Sequence, residues 1–139
     1  MKGHKNVSVL VSCIDFRFWP QALPVLQKKY GALDLIVLAG GAKNIASPLE
    51  KEDKTAIMEN IGISIKLHNA KKIILTNHAD CGAYGGSSKF KSSAEEQSFH
   101  IKELVKAKKI IRKHFPRHKI ETIFIAKEGN RVKLHFISI

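Results

Sequence analysis

The stretch Val7-Ser-Val-Leu-Val-Ser-Cys-Ile-Asp-Phe-Arg17 begins as an apolar, β-branched run and ends in residues that carry chemistry. Its first half, Val7–Ser12, lacks a clean apolar-polar alternation, which is typical of a strand buried on both faces of a parallel sheet. Cys13, Asp15 and Arg17 follow directly. Ligands of open parallel sheets collect at the carboxyl ends of the strands, so this stretch predicts a buried strand with a site beside it.

Two further apolar runs, Leu35–Leu38 and Lys72–Thr76, predict two more buried strands. The intervening segments have helical patterns. We predict one helix over Pro24–Tyr30, stopped by Gly31, and a second that starts at the capping motif Ser47-Pro-Leu-Glu50 and buries Ile57, Ile61 and Ile65. A third starts at Ser93-Ala-Glu-Glu96, ends before Pro116, and buries Ile101, Leu104, Ile111 and Phe115.

The C-terminal segment predicts a hairpin. Ile120–Ala126 and Arg131–Ile137 flank Gly129-Asn130, a pair that favours a tight turn. Its second strand has one apolar face, formed by Val132, Leu134 and Phe136. The order of strands and helices predicts an α/β fold with a mostly parallel sheet, flanking helices and an antiparallel edge strand at the C-terminus.

Composition limits the classes of protein that fit. With 139 residues, of which 44% are hydrophobic, the chain has room for one core, so residues 1–139 are expected to form a single domain. The apolar runs are too short for a membrane span, and no signal-peptide pattern is present. We therefore expect a cytoplasmic protein without a membrane partner. In that reducing compartment, two distant cysteines are buried thiols, metal ligands or nucleophiles more often than disulfides.

Both cysteines fall at the ends of predicted strands. Cys13 follows the first strand, and His78 and Cys81 follow the third. Two thiolates and one imidazole form a Zn²⁺ ligand set that leaves a fourth position open for water, as catalytic zinc sites do. Asp15 could accept a hydrogen bond from that water, and Arg17 could orient the carboxylate.

Other interpretations of these residues stay open. A cysteine at a strand end is often a small buried hydrophobe, and a lone histidine is often structural. A Cys13–Cys81 disulfide fits the same geometry, although the expected compartment argues against it. A thiol phosphatase needs an arginine at the end of its phosphate loop, and the loop after Cys81 has none.

The motifs Cys13-x-Asp15-x-Arg17 and His78-x-x-Cys81-Gly82 together resemble the β-class carbonic anhydrase family. The resemblance extends from about Val7 to the C-terminal hairpin. It implies a sheet of four parallel strands plus one antiparallel strand, and assembly as a homodimer or a multiple of dimers. It also implies that Cys13, His78 and Cys81 are the zinc ligands, with Asp15 and Arg17 as the catalytic dyad.

The activity implied by the resemblance is zinc-dependent, reversible hydration of CO₂ to bicarbonate, with zinc-bound water or hydroxide as the nucleophile. In some family members the aspartate of the dyad occupies the fourth zinc position when its arginine releases it. This chain departs from the family at Leu38–Asn44 and at Asn77, which replaces a glycine. An alternative is therefore a zinc protein that acts on another small electrophile, such as COS or CS₂, or that is catalytically silent.

The net charge of +12 raises a second alternative, which is binding to nucleic acid or to an anionic surface. Lys102, Lys106, Lys109 and Lys113 recur along one face of the third predicted helix. We favour a solvated outer face, since no aromatic residues alternate with the lysines and no nucleic-acid-binding motif is present. Nucleic acid is therefore an unlikely partner.

Two aromatic groups near these motifs have more than one interpretation. Phe16, Phe18 and Trp19 could line an apolar pocket, or form core or dimer contacts. Tyr84 and the Gly/Ser-rich loop after Cys81 could form a lid or an ordinary flexible connection.

Overall fold

The structure is a computed structural model that describes residues 6–139. The predicted domain includes residues 1–5, which lie outside this range. None of the helices found between residues 6 and 139 is long and apolar enough to cross a membrane. The strands are β1 (Val7–Ser12), β2 (Ala32–Val37), β3 (Lys72–His78), β4 (Lys119–Glu128) and β5 (Arg131–Ile137). The α-helices are α1 (Trp19–Tyr30), α2 (Lys43–Ala46), α3 (Lys51–His68) and α4 (Ser93–His114).

The five strands form one sheet in the order β2-β1-β3-β4-β5. The first four strands are parallel, and β5 pairs with β4 in the antiparallel direction. The predicted fold class is confirmed. Because β1 and β3 are neighbours at the centre, the residues that follow them emerge side by side at the carboxyl edge of the sheet.

Side chains on the two faces of the sheet build two cores. On one face, Leu10, Ile74 and Ile123 pack with Ala22 and Leu26 of α1. On the other face, the strands pack against the apolar residues of α2, α3 and α4, which include Ile45, Ile57, Ile61, Leu104 and Ile111. Burial on both faces explains why the central strands do not alternate cleanly between apolar and polar residues.

Helix α1 begins five residues before the predicted start at Pro24. Pro20 occupies the first turn, where a missing N–H group costs nothing, and Pro24 lies on the exposed side of the helix. The predicted stop at Gly31 is confirmed, because this residue follows the helix with a positive φ of 82°. Strand β2 is likewise longer than the predicted Leu35–Leu38 and ends one residue earlier.

The predicted helix start at Ser47 is wrong. Ser47 follows the short helix α2, and α3 begins at Lys51. The Ser47 hydroxyl donates a hydrogen bond to Glu103 Oε2 at 3.1 Å instead of capping a helix. Ile57 and Ile61 are fully buried as expected, whereas Ile65 is half-buried.

Helix α4 begins at Ser93, but its N-cap lies one residue earlier than the predicted motif places it. Ser92 is the N-cap, and its hydroxyl accepts a hydrogen bond from the Glu95 N–H at 3.1 Å. The predicted capping residue Glu96 is buried and faces the loop that carries Cys81. Leu104 and Ile111 are fully buried, but Ile101 and Phe115 are only half-buried.

The predicted C-terminal hairpin is confirmed, with one correction on its apolar face. Val132 and Leu134 pack against the core beside α1. Phe136 is 46% exposed, and its ring lies 4.7 Å from the Lys29 ammonium nitrogen. The Lys29 ammonium group lies over the face of the ring, and this contact stabilises Phe136 where it is partly exposed.

Candidate metal centre

Cys13, His78 and Cys81 meet at the carboxyl edge of the sheet. Cys13 follows β1, His78 is the last residue of β3, and Cys81 lies three residues later. Their candidate ligand atoms all lie within 4.8 Å of one another, and all three residues are buried. Ligands on one tetrahedral zinc ion are roughly 3.5–4 Å apart, so a small closure of this group suffices to hold a metal.

The ring of His78 is oriented for ligation. Its Nδ1 lies 2.6 Å from the Ala79 carbonyl oxygen. A carbonyl only accepts hydrogen bonds, so Nδ1 carries the proton and the lone pair is on Nε2. Nε2 is buried without a hydrogen-bond partner. Phe18 stacks on the ring at a centroid distance of 4.1 Å and fixes its plane.

The thiols of Cys13 and Cys81 interact with each other, and the interaction shifts their pKa values in opposite directions. The Cys81 thiol donates to the Cys13 sulfur, and this bond lowers the pKa of Cys13 well below its usual value. The Gly40 N–H, at 3.3 Å, also donates to the Cys13 sulfur and favours its thiolate form. The same bond raises the pKa of Cys81, and burial raises it further. Cys13 is therefore the more readily ionised thiol of the pair.

Gly40 and Gly41 bring the backbone against Cys13. Gly41 has a φ of 54°, and a Cβ at this position would lie 2.5 Å from the Thr76 carbonyl oxygen and 3.2 Å from the Cys13 nitrogen. Only glycine fits this approach of the β2–α2 connection to the ends of β1 and β3. The segment that departs from the family pattern is thus packed directly on Cys13, a candidate metal ligand.

Asp15 and Arg17 form a two-pronged ion pair. Arg17 Nε lies 3.0 Å from Asp15 Oδ1, and Nη2 lies 2.6 Å from Asp15 Oδ2. The Arg17 hydrogen bonds lower the pKa of Asp15 to about 2, and the carboxylate in turn raises the pKa of Arg17. Asp15 Oδ2 lies 3.8 Å from His78 Nε2, so an ionised carboxylate borders the predicted metal position.

Sequence reasoning missed two further carboxylates around this pair. Asp80 Oδ2 accepts a hydrogen bond from Arg17 Nη1 at 2.9 Å. Glu96, which is 4% exposed, accepts one from the Asp80 N–H at 2.8 Å. Asp80 lies between His78 and Cys81 in the sequence, and this position could have identified it as a residue of the site. Glu96 gave no comparable signal, because its spacing from Ser93 also fits a helix cap.

An apolar cavity of about 340 Å³ lies beside Cys13, between α1 and β2. Trp19, 43% exposed, lines it, whereas Phe18 is buried and Phe16 is 78% exposed outside it. Phe18 is thus a core residue in contact with His78. The other lining residues are apolar except for Ser12, and they include Ile14, Leu23, Leu35 and Val37.

Tyr84 is a packed part of this site. It is 8% exposed, and its hydroxyl donates to Glu103 Oε1 at 2.9 Å and accepts from Asn77 Nδ2 at 3.1 Å. Two short 3₁₀ turns order the loop around it, Gly82–Tyr84 and Ser87–Lys89. The hydrogen bonds of Tyr84 favour a fixed connection over a lid.

The basic face of α4 is solvent-exposed, as the favoured interpretation expects. Lys102, Lys106, Lys109 and Lys113 are all exposed. Within residues 6–139, none of these four lysines forms a salt bridge. This face lies on the outer side of α4, opposite the buried Leu104, and none of its four lysines lines the cavity beside Cys13.

The match to a family model decides the family of this chain. Residues 3–135 match the model described as "Putative carbonic anhydrase". This chain belongs to that carbonic anhydrase family. An uncharacterized protein of Rickettsia bellii is 30% identical over 128 residues, which cover 88% of this chain and 77% of the relative.

Solved structures agree on the fold. A carbonic anhydrase from Glaciozyma antarctica superposes with a TM-score of 0.62 at 16% identity, over 96% of this chain and 83% of the other. One of two tetrameric β-carbonic anhydrases from Sordaria macrospora gives a TM-score of 0.52 at 16% identity, over 99% and 84%. The β-class fold predicted from the two motifs is confirmed.

Proposed function

We propose that this carbonic anhydrase family member is a zinc enzyme that catalyses the reversible hydration of CO₂ to bicarbonate. The observation that carries the proposal is the convergence of Cys13, His78 and Cys81 within 4.8 Å. The orphaned Nε2 of His78 and the Cys13 sulfur, whose pKa is lowered and which accepts from the Gly40 N–H, fit a dication. When bound, zinc would supply the Lewis acidity that makes a water molecule nucleophilic near neutral pH.

Asp15 and Arg17 would complete the catalytic site. Asp15 has a lowered pKa and stays ionised across the working pH range, so it can accept a hydrogen bond from the attacking water. Arg17 fixes the direction of that carboxylate through its paired contacts. The apolar cavity beside Cys13 suits a nonpolar substrate such as CO₂.

We propose further that the chain forms a homodimer, or a multiple of dimers, through an apolar patch around β2. The patch comprises exposed side chains at the sheet edge and beside the cavity, namely Ile14, Trp19, Leu35 and Val37. A sheet edge with exposed apolar residues is typical of an interaction surface. That residues 1–139 act as one domain, in the cytoplasm, stays a prediction.

The test of the activity compares the wild type with Asp15→Asn after zinc loading. Two thiolates offset the charge of Zn²⁺, so we expect the hydration rate of the wild type to rise between pH 6 and 9. Asp15→Asn should retain zinc and lose about 10- to 100-fold in rate, as removal of groups that orient a metal site does. Glu128→Gln, which removes an exposed ion-pair partner of Lys133, is the matched control and should leave the rate unchanged.

Two results would contradict parts of this proposal. A rate that is flat from pH 6 to 9 would exclude a water held at the metal as the titrating group. Bound zinc without hydration at pH 8.5 would favour another small electrophile, such as COS or CS₂, or a silent relative.

A further inference from the structure

Arg17 is held by two acidic residues, Asp15 and Asp80. Besides its contacts to Asp15, its Nη1 donates to Asp80 Oδ2 at 2.9 Å and its Nη2 donates to the Asp80 carbonyl oxygen at 2.9 Å. The guanidinium thus connects the residues after β1 to the loop after β3. Because a guanidinium is planar, partners on both sides fix its orientation as well as its position.

Asp80 is itself fixed by the loop around it. Its backbone has a positive φ of 54°, a conformation that aspartate tolerates better than most residues. Its Oδ1 accepts from the Ser87 N–H at 2.8 Å, while its own N–H donates to buried Glu96. The Ser87 hydroxyl donates to the same Glu96 carboxylate at 2.8 Å. Each oxygen of the Asp80 carboxylate therefore has its own donor.

The contacts of Arg17 determine where the Asp15 carboxylate points. Asp15 Oδ1 accepts from the Arg17 backbone N–H at 2.9 Å and from Nε at 3.0 Å, and Oδ2 accepts from Nη2. Oδ2 is also only 3.8 Å from His78 Nε2. A carboxylate released from Arg17 would therefore be within reach of a metal held by that nitrogen.

We propose that Asp80 is a positioning residue that holds Arg17 against Asp15 and so keeps the Asp15 carboxylate from becoming a fourth metal ligand. The inference rests on the metal site of the proposed function. Loss of Asp80 leaves Arg17 with fewer fixed acceptors, and its partly exposed side chain, at 35%, can then exchange Asp15 for water. Asp15 would then compete with water for the open metal position.

A double-mutant cycle tests this role through zinc affinity, measured by competition with a chromophoric chelator. The variants are Asp80→Asn, Asp15→Asn and the double variant. Ser87 and Arg17 donate to different oxygens of Asp80, and Asp80→Asn replaces one of these oxygens by an NH₂ group that cannot accept. We expect Asp80→Asn to tighten zinc binding on the order of tenfold when Asp15 is present, and to have no such effect when Asp15 is replaced by asparagine.

A purely structural role for Asp80 makes the opposite prediction. Loosening the loop that carries Cys81 would weaken zinc binding equally in both Asp15 backgrounds, and that result would overturn the proposal. Asp80→Ala, which removes both acceptor oxygens, should show the same coupling as Asp80→Asn. Glu128→Gln again controls for the loss of one negative charge and should show no coupling.

The NMR spectrum of the zinc-free protein gives a readout that needs neither metal nor activity. Fixed partners slow the rotation of the Arg17 Nη groups, so their ¹H–¹⁵N signals should be resolved in the wild type and averaged in Asp80→Asn. Unchanged signals would overturn the role of Asp80. A wild type that binds zinc without hydrating CO₂, but keeps the coupling, would overturn the proposed activity alone.

Discussion

His100 is a fully buried imidazole that the proposed reaction does not use. It stacks on Phe124 at 5.3 Å, its Nδ1 lies 3.1 Å from Asn77 Nδ2, and its Nε2 has no hydrogen-bond partner. Burial lowers the pKa of His100 to about 4, with a smaller contribution from His78. The unfolded chain therefore takes up a proton near pH 6.5 that the folded protein does not accept.

This difference predicts a loss of stability on acidification. Because the unfolded state binds the extra proton, the free energy of unfolding falls as the pH drops below about 6.5 and levels off near pH 4. We expect His100 to contribute about 2 kcal/mol of this loss between pH 7.5 and pH 5. Urea unfolding at both pH values should show a smaller loss for His100→Gln. Equal losses in the two proteins would contradict the assignment.

At the level of single residues, the sequence predicted that Cys13, His78 and Cys81 converge, but it did not predict the carboxylates around them. Cys13, His78 and Cys81 could be found because a parallel sheet brings the ends of neighbouring strands together. Asp80 and Glu96 were missed because their roles depend on a loop conformation, with a positive φ at Asp80, that no pattern in the sequence specifies.

Two glycines, Gly41 between β2 and α2 and Gly62 within α3, should respond to alanine with opposite changes in the free energy of unfolding. Gly41→Ala would combine a positive φ with a Cβ 2.5 Å from the Thr76 carbonyl oxygen, so we expect a loss of about 2–4 kcal/mol in unfolding free energy. Gly62→Ala, within α3, meets nothing within 4 Å and should stabilise the protein by about 0.5–1 kcal/mol. Urea denaturation measures both, and a neutral Gly41→Ala would contradict the described packing.

The start of α4 predicts a similar contrast between two serines. Ser92→Ala removes the hydroxyl that accepts from the Glu95 N–H and should cost about 1 kcal/mol. Ser93→Ala changes the first helical residue and should stay within about 0.5 kcal/mol of wild type. Thermal unfolding of the two variants decides between the observed cap and the predicted one. The reverse order would place the cap at Ser93.

Among the elements, the strands and long helices could be predicted from the sequence, while the starts of α1, α3 and β2 could not. The apolar runs specified β1 and β3 because burial on both faces demands such runs. The start of α3 was misplaced because Ser47 has two possible partners, a helix end or Glu103, and only the folded chain brings Glu103 near it. Tertiary contacts thus override local capping signals.

For the whole molecule, the apolar patch around β2 predicts self-association. Leu35 and Val37 are 51% and 44% exposed on the outer edge of the sheet. The double substitution Leu35→Lys with Val37→Lys should convert dimers to monomers in sedimentation velocity, because it buries charge in the interface. Leu49→Lys, at an 83% exposed site outside the patch, should leave the dimer intact. Dimers that survive the double substitution would place the interface elsewhere.

The net charge of +12 describes the surface of the molecule and not its candidate site. It suggested an anionic partner, yet the lysines of α4 lie on a solvated outer face and do not line the cavity beside Cys13. Charge of this kind affects solubility and the attraction of anions such as bicarbonate, and it does not specify the chemistry of the site.

A zinc titration of the metal-free chain, followed by the initial rate of CO₂ hydration at pH 8.5, tests the central claim most directly. The buried group of Cys13, His78 and Cys81 predicts that the rate rises linearly with added zinc and reaches a plateau at one zinc per chain. A rate that stays at the uncatalysed level with one zinc bound per chain would contradict it.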